Sequence, residues 1–346
     1  VSRPAQTEAA EEPLIVREAL ERLLGLGELE YERASAGHSN VTFFLEAGGR
    51  RLVLRRPPRG PFPPSAHDVL REHRILKGLE EFDVRVPKVT LACDDPEVIG
   101  APFYVMERVD GVVADAATPA PLDNPADRAR IGEELIDTLV ELHRVDWRRS
   151  EALSQIGRAN GYLERQVDLW SKQWKRQKTR EVEVIERTGE ALRRSLPTSP
   201  PATVVHGDYK LDNVAFAPDS PARLVAILDW EMATIGDPLA DLGFLTATWL
   251  QGDDPERLLG LSQAPTEPGY PTRADLVTRY ADASGRDPSG LAWYQALALW
   301  KLAILLEGSY RRFQAGTTDD PFFARLETGV PSLAEQASEA LTGSLL

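Results

Sequence analysis

The chain changes its hydrophobic rhythm once, at Asp110-Gly111, and that change limits its fold more than any other feature. Upstream, short runs of strand-forming residues predict strands at Glu30–Ala34, Val41–Leu45, Arg51–Arg55, Val86–Cys93 and Phe103–Val109. Leu14, Leu20, Leu23 and Leu24 predict a short helix within Pro13–Leu26, and Val69, Leu70, Ile75, Leu76 and Leu79 predict another over Asp68–Glu80. Downstream, helical spacing takes over. Asn124-Pro125 reads as an N-cap followed by proline at the first helical position, and Ile131, Leu135, Leu139 and Leu142 form a buried stripe. Gly161–Ser195 reads as a long charged helical region, and the chain is helical again from Pro238. Between them, Thr203–Val205, Val214–Phe216 and Leu224–Leu228 are short apolar strands. The expected fold class is α+β, with a strand-rich unit over residues 13–109 and a mainly helical unit over 110–333. Residues 1–12 and 334–346 are expected to be loosely held tails.

Length and charge narrow the function. With 346 residues, 42% of them hydrophobic, there is material for two or three cores. The 54 acids against 40 bases, a net charge of −14, argue against a broad phosphate-backbone footprint, so no nucleic-acid partner is expected. Cys93 is the single cysteine, which excludes an intrachain disulfide and a cysteine-based zinc site. The most apolar helical stretch, Leu291–Leu306, is interrupted by Gln295 and Lys301 and runs into Glu307, too polar for a membrane span. The first dozen residues lack an apolar signal core. A cytoplasmic protein with no membrane partner is expected.

The chemistry lies in His206-Gly207-Asp208-Tyr209-Lys210-Leu211-Asp212-Asn213, set between two short strands. Asn213 follows Asp208 by five residues, and Asp229, at the end of a third strand, follows it by 21. Phosphoryl transfer needs these residue types. One carboxylate orients an attacking hydroxyl and accepts its proton, while an amide oxygen and another carboxylate hold Mg²⁺ on the nucleotide phosphates. Taken singly, each is an ordinary turn residue. The combination favours the phosphoryl-transfer reading.

The run resembles the His-x-Asp-x-x-x-x-Asn catalytic loop of eukaryotic-like kinases, in the His-Gly-Asp form of the aminoglycoside phosphotransferase and choline kinase-like family. Gly37-His38-Ser39-Asn40 and Leu52-Val53-Leu54-Arg55-Arg56-Pro57 support the resemblance, which covers roughly Glu30 to Phe323. Within the family the chain looks closest to the branch related to the kinase-like domain of acyl-CoA dehydrogenase fusion proteins. The resemblance implies a two-lobed protein-kinase-like fold, with a small N-lobe of antiparallel sheet plus helix and a larger, mainly helical C-lobe. It also implies ATP between the lobes, Mg²⁺ as cofactor and a small-molecule hydroxylated substrate. By position, Asp208 matches the catalytic base, and Asn213 and Asp229 match the metal ligands. Lys210 is placed to reach the transferring phosphate. Met106, Glu107 and Val109 fall in the hinge that meets adenine, and Gly111 is expected to let the chain turn.

Kinases use a strand lysine for the α- and β-phosphates, and here the matching strand ends in arginine. Alternation puts Arg55 opposite Leu54, which favours Arg55 over Arg56 as the phosphate contact. Its expected anchor is Glu72, 17 residues on. Ser39 is assigned to capping a phosphate, in a turn with one glycine. His206 is expected to be structural. Asp237 and Asp241 are expected to cap a helix or brace the loop. Trp170 and Trp174, one turn apart, serve either core packing or an acceptor pocket. Two rival readings stand: a non-catalytic nucleotide or metabolite sensor, and an aminoglycoside- or choline-type kinase with a cationic acceptor. The Trp-bearing insert and the branch resemblance favour an apolar or acyl-type acceptor. The sequence is silent on oligomeric state.

Overall fold

A short helix, α1 (Arg17–Leu24), leads into three strands, β1 (Leu29–Arg33), β2 (Val41–Ala47) and β3 (Arg50–Arg56). After α2 (Val69–Glu80) come β4 (Val89–Cys93), a single helical turn α3 (Pro96–Ile99) and β5 (Phe103–Glu107). The computed structural model describes residues 15–34, 40–58, 67–252, 254, 261–316, 321–343 and 345. Residues 1–12, expected as a tail, lie outside the described residues, as do Leu14 and the turn residues Gly37, His38 and Ser39.

The five strands form one antiparallel sheet in the order β1-β2-β3-β5-β4. Period-two alternation sends Phe43 and Leu45 of β2, Leu52 and Leu54 of β3, and Phe103 and Val105 of β5 to one face. There they meet Leu20 of α1, Leu29 and Ile99 in a single core. Val53 and Arg55 take the other face of β3. Asp68 starts α2 by accepting the Arg71 N–H at 2.9 Å. The smaller compact unit takes in the described residues up to Leu76 together with Pro87–Arg108; the larger takes Lys77–Val86 and everything from Val109.

The larger unit opens with α4 (Pro125–His143). Asn124 caps it by accepting the Asp127 N–H at 3.0 Å, and the predicted stripe Ile131, Leu135, Leu139 and Leu142 is fully buried. Gly111 proves to be a matter of space rather than of turning. A Cβ there would lie 2.9 Å from the Ala215 Cβ and 3.1 Å from the Phe216 carbonyl oxygen, because Val112 and Phe216 exchange backbone hydrogen bonds at 2.8 and 2.9 Å.

After the short α5 (Glu151–Ser154), the long helical region expected over Gly161–Ser195 consists of two helices, α6 (Tyr162–Gln177) and α7 (Glu183–Arg194). The break has a physical cause. Thr179 gives its N–H and hydroxyl to the buried Glu307 carboxylate at 3.1 and 2.7 Å, so that N–H is not available to a helical carbonyl. Strands β6 (Thr203–Val205), β7 (Val214–Phe216) and β8 (Leu224–Ile227) follow, and then β9 (Thr234–Gly236), which pairs with β6. Strand β9 was too short to signal itself in the sequence. It is followed by α8 (Leu239–Thr248), α9 (Arg273–Ser284), α10 (Leu291–Gln314) and α11 (Leu326–Thr342). The expected C-terminal tail from 334 is therefore corrected. Ala334, Ala337 and Ala340 are buried where α11 packs on α10, their small side chains permitting close approach. Among the described residues, no helix is long and apolar enough to cross a membrane.

Candidate active site

The loop between β6 and β7 is held by the residues around it. His206 and Gly207 give their backbone N–H groups to the two oxygens of one carboxylate, Asp241, at 2.7 and 2.8 Å. Asp241 lies in the first turn of α8 and also meets His143 Nε2 at 3.2 Å; His143 Nδ1 in turn meets the Tyr280 hydroxyl at 2.8 Å. Burial works against the Asp241 charge, but the bonds from His143 and Gly207 outweigh it and hold the carboxyl below its usual range. Burial likewise depresses His143, opposed by Asp241. Gly207 has φ of +83°, and a Cβ there would sit 2.7 Å from the Met232 carbonyl oxygen, so both backbone and space require glycine.

His206 is fully buried, and both its ring nitrogens are engaged. Nε2 meets the Leu228 carbonyl at 2.8 Å, and Nδ1 accepts the Asp208 N–H at 3.3 Å. Neither nitrogen remains for proton transfer, in keeping with a structural residue. The Tyr209 hydroxyl donates to the Leu135 carbonyl on α4 at 2.7 Å, a further tether.

This bracing brings Asp208 and Asn213 together. The Asn213 amide nitrogen donates to the Asp208 carboxylate at 2.7 Å and to its backbone carbonyl at 2.8 Å. The Leu228 N–H donates to the Asn213 carbonyl at 2.8 Å. Since the Leu228 carbonyl is bonded to His206, both its polar groups are tied to the loop, and Asp229 emerges beside it. Asp229 has φ of +61°, a left-handed conformation uncommon outside glycine.

Burial is the largest influence on Asp208 and lifts its pKa above the ordinary aspartate value; Lys210 pulls it down and Asp229 pushes it up further. Burial opposes the charge on Lys210, yet Asp208 and Asp212 prevail and raise its pKa. The Lys210 ammonium lies 2.7 Å from Asp212 Oδ2.

The donor set suits a hard divalent cation. With its NH₂ committed to Asp208, Asn213 turns its amide oxygen away as an acceptor, and among the described residues nothing donates to that oxygen. Two carboxylates of like charge, Asp208 and Asp229, act on each other, an arrangement a cation relieves. Among the described residues, no three His, Cys, Asp or Glu side chains are gathered as a metal cage. Mg²⁺ does not need one, since it takes one or two carboxylates and completes its shell with water and substrate phosphates.

On the smaller unit, Arg55 Nη1 donates to Glu72 Oε1 at 2.7 Å, both side chains being buried. Arg56, adjacent on β3, is spent differently: Nη1 donates to the Ile99 carbonyl at 2.9 Å and Nε to that of Pro57 at 3.2 Å. Met106 is half-buried and Glu107 exposed, both in β5, while Val109 lies beyond the strand. The Glu107 N–H is already given to the Lys88 carbonyl at 2.8 Å. Ser39 lies outside the described residues.

Trp170 and Trp174 are both buried. The indole N–H of Trp174 reaches Glu186 Oε1 on α7 at 3.3 Å, a contact that joins two helices. Trp170 presents its ring to the ammonium of Lys301, 5.5 Å from the ring centre. Sequence reasoning offered Asp241 only as a helix cap or a general brace and gave His143 no role, because their partners lie 34 to 137 residues away.

Residues 30–276 match the phosphotransferase enzyme family. Acyl-CoA dehydrogenase family member 11 of Rattus norvegicus is 36% identical over 293 residues, 83% of this chain and 37% of that protein. Acyl-CoA dehydrogenase family member 10 of Mus musculus is 33% identical over 337 residues, 95% of this chain and 31% of that protein. The chain thus spans roughly a third of the length of these curated relatives. A candidate aminoglycoside phosphotransferase from Ralstonia eutropha superposes with a TM-score of 0.76 at 30% identity, over 93% of this chain and 98% of that one. Choline kinase from Cryptosporidium parvum gives 0.63 at 14% identity, over 91% and 90%, a likeness of fold. The small antiparallel-sheet unit and the helical unit are those of a kinase-like fold. The braced loop and Asp229 both fall inside the matched residues, and the chain belongs to the phosphotransferase enzyme family.

Proposed function

We propose that the protein is an ATP- and Mg²⁺-dependent kinase that transfers the γ-phosphoryl group to a hydroxyl of a small molecule. The observation that carries this reading is the Asn213 amide fixing the Asp208 carboxylate at 2.7 Å, with nothing among the described residues donating to its own oxygen and with the charge of Asp229 acting on Asp208. Asp208 orients the acceptor hydroxyl and takes its proton. The bond from acceptor oxygen to γ-phosphorus forms as the bond from phosphorus to the β,γ-bridging oxygen breaks, and ADP leaves. Mg²⁺, held by Asn213 and Asp229 when bound, supplies charge neutralisation on the phosphates. Lys210 adds positive charge close to Asp208, and on the smaller unit Arg55, steadied by Glu72, is assigned to the nucleotide phosphates. Met106, Glu107 and Val109 are assigned to the adenine side. Little covalent chemistry falls to the protein; positioning and electrostatics do the work.

The test is Asp208→Asn in an assay of Mg²⁺-dependent, acceptor-stimulated ADP release. Turnover is expected to fall by about a hundredfold to ten thousandfold while ATP still raises the melting temperature. Near-normal turnover defeats the assignment. One observation favours the sensor reading instead: the strand cation is an arginine locked to Glu72, stricter in geometry than a lysine. A sensor responds to ATP in melting but releases no ADP with any acceptor.

A further inference from the structure

Helix α10 carries three strongly polar residues through an otherwise apolar interior: Gln295, Lys301 and Glu307. Two of them are answered from within the fold. Gln295 donates to the Thr246 hydroxyl at 3.1 Å and accepts the Leu345 N–H at 3.3 Å. Glu307 receives Thr179 at 2.7 and 3.1 Å and the Arg180 guanidinium at 3.2 Å. Lys301 is only 8% exposed, yet it makes no hydrogen bond or ion pair among the described residues. Its ammonium rests over the Trp170 ring and feels the charges of Asp208 first and Asp241 second. Asp241 is no partner for it, since its oxygens already serve His206, Gly207 and His143.

The side chain is largely buried and its ammonium has no oxygen partner from the fold, yet the nitrogen itself is not sealed off, so it has lost most of its hydration while remaining reachable by an anionic oxygen. Burial depresses the Lys301 pKa, and the Asp208 and Asp241 charges act to restore it. We propose that Lys301 recognises the acceptor, its ammonium receiving an anionic oxygen carried by the same molecule as the reacting hydroxyl. The inference rests on the kinase reading above, because it is Asp208's part in phosphoryl transfer that makes its surroundings the acceptor's place. It also gives Trp170 a definite part. The ring holds the protein's own cation, so a cationic acceptor meets like charge there instead of an open aromatic face.

The test uses hydroxylated carboxylic acids from glycolate to hydroxystearate, each against its methyl ester, with ethanolamine and choline as cationic counterparts. Wild-type protein is expected to prefer an acid over its ester by about tenfold to a hundredfold in kcat/KM, the range of one charge-assisted hydrogen bond. Lys301→Met is expected to erase the preference mainly through KM, with the melting shift caused by Mg²⁺-ATP retained as a check on folding. Should that variant not fold, the wild-type comparison of acid with ester decides alone. The assignment is overturned if no acid is used or bound better than its ester, if the preference survives Lys301→Met, or if the amines are the better acceptors. Melting shifts caused by the acids without ATP separate this inference from the kinase reading. A shift in wild type that is lost in Lys301→Met, without turnover, sinks the kinase reading and leaves the anion site standing.

Discussion

Two of the places where this protein takes charge into its interior are built on different terms. In the larger unit, the loop from His206 to Asn213 is held by many bonds at once: two backbone N–H groups on Asp241, both ring nitrogens of His206, the Tyr209 hydroxyl on α4, and the Asn213 amide on Asp208. In the smaller unit, Arg55 is steered by the carboxylate of Glu72 on a facing helix. The difference teaches which geometry tolerates change. A loop fixed from several sides has one arrangement, and disturbing it gives an all-or-none result. A single cation set on a strand can be exchanged for another cation, and disturbing it gives a graded one.

The largest expected effect falls on Asp208. Asp208→Asn keeps the shape and the bond from Asn213 but removes the base, and kcat is expected to fall by about a hundredfold to ten thousandfold. Single-turnover ADP release measures it, and a loss under tenfold breaks the contrast. Next comes Asp241→Ala, which strips two backbone N–H groups and His143 of their acceptor in a buried place. A stability loss of about 3–5 kcal/mol is expected in urea unfolding. The acid side of the stability curve should change with it. Asp241 titrates below its usual value in the fold, so its contribution is complete above the ordinary aspartate pKa and is lost as pH falls through the lower folded value. The variant should lack that loss.

The strand arginines sharpen the comparison from the other side. Arg55→Lys keeps the charge and is expected to raise the KM for ATP by about tenfold with little change in kcat. Arg56→Lys gives up bonds to the Ile99 and Pro57 carbonyls and is expected to lose about 1 kcal/mol of stability while the KM for ATP stays put. Equal effects of the two variants on nucleotide KM would erase the distinction. The smallest effect is on pH dependence. Asp208 must be ionised to act, and its pKa is raised, so kcat/KM is expected to fall as pH drops through a value above 3.8. Lys210→Met removes the charge that pulls Asp208 down, and the acidic limb should move higher still.

Much of this was readable before any coordinates. The strands of the smaller unit and the stripe of α4 follow from local periodicity, so their sites fall within a few residues of expectation. The spacing of Asp208, Asn213 and Asp229 was legible because strand, loop and strand are adjacent in sequence. Arg55 was separable from Arg56 by alternation alone, since neighbouring strand residues face opposite ways. Lys301 left a trace as a charge breaking an apolar run, but the sequence could not say whether it was paired. The C-terminal part of α11, from Ala334, was read as a tail because alanines give a weak periodic signal; only the surface of α10 shows why small residues are wanted there.

By itself, then, the sequence determined the alternation, the caps and the order of chemical groups along the loop, because these depend on residues a few positions apart. Tertiary structure decided the rest: that one carboxylate from α8 serves two N–H groups of the loop, that Glu307 divides α6 from α7, and that Lys301, unlike Gln295 and Glu307, makes no hydrogen bond or ion pair among the described residues. Those outcomes depend on which donors and acceptors are brought within 3 Å or so of each other by packing between distant segments, and no local pattern encodes that.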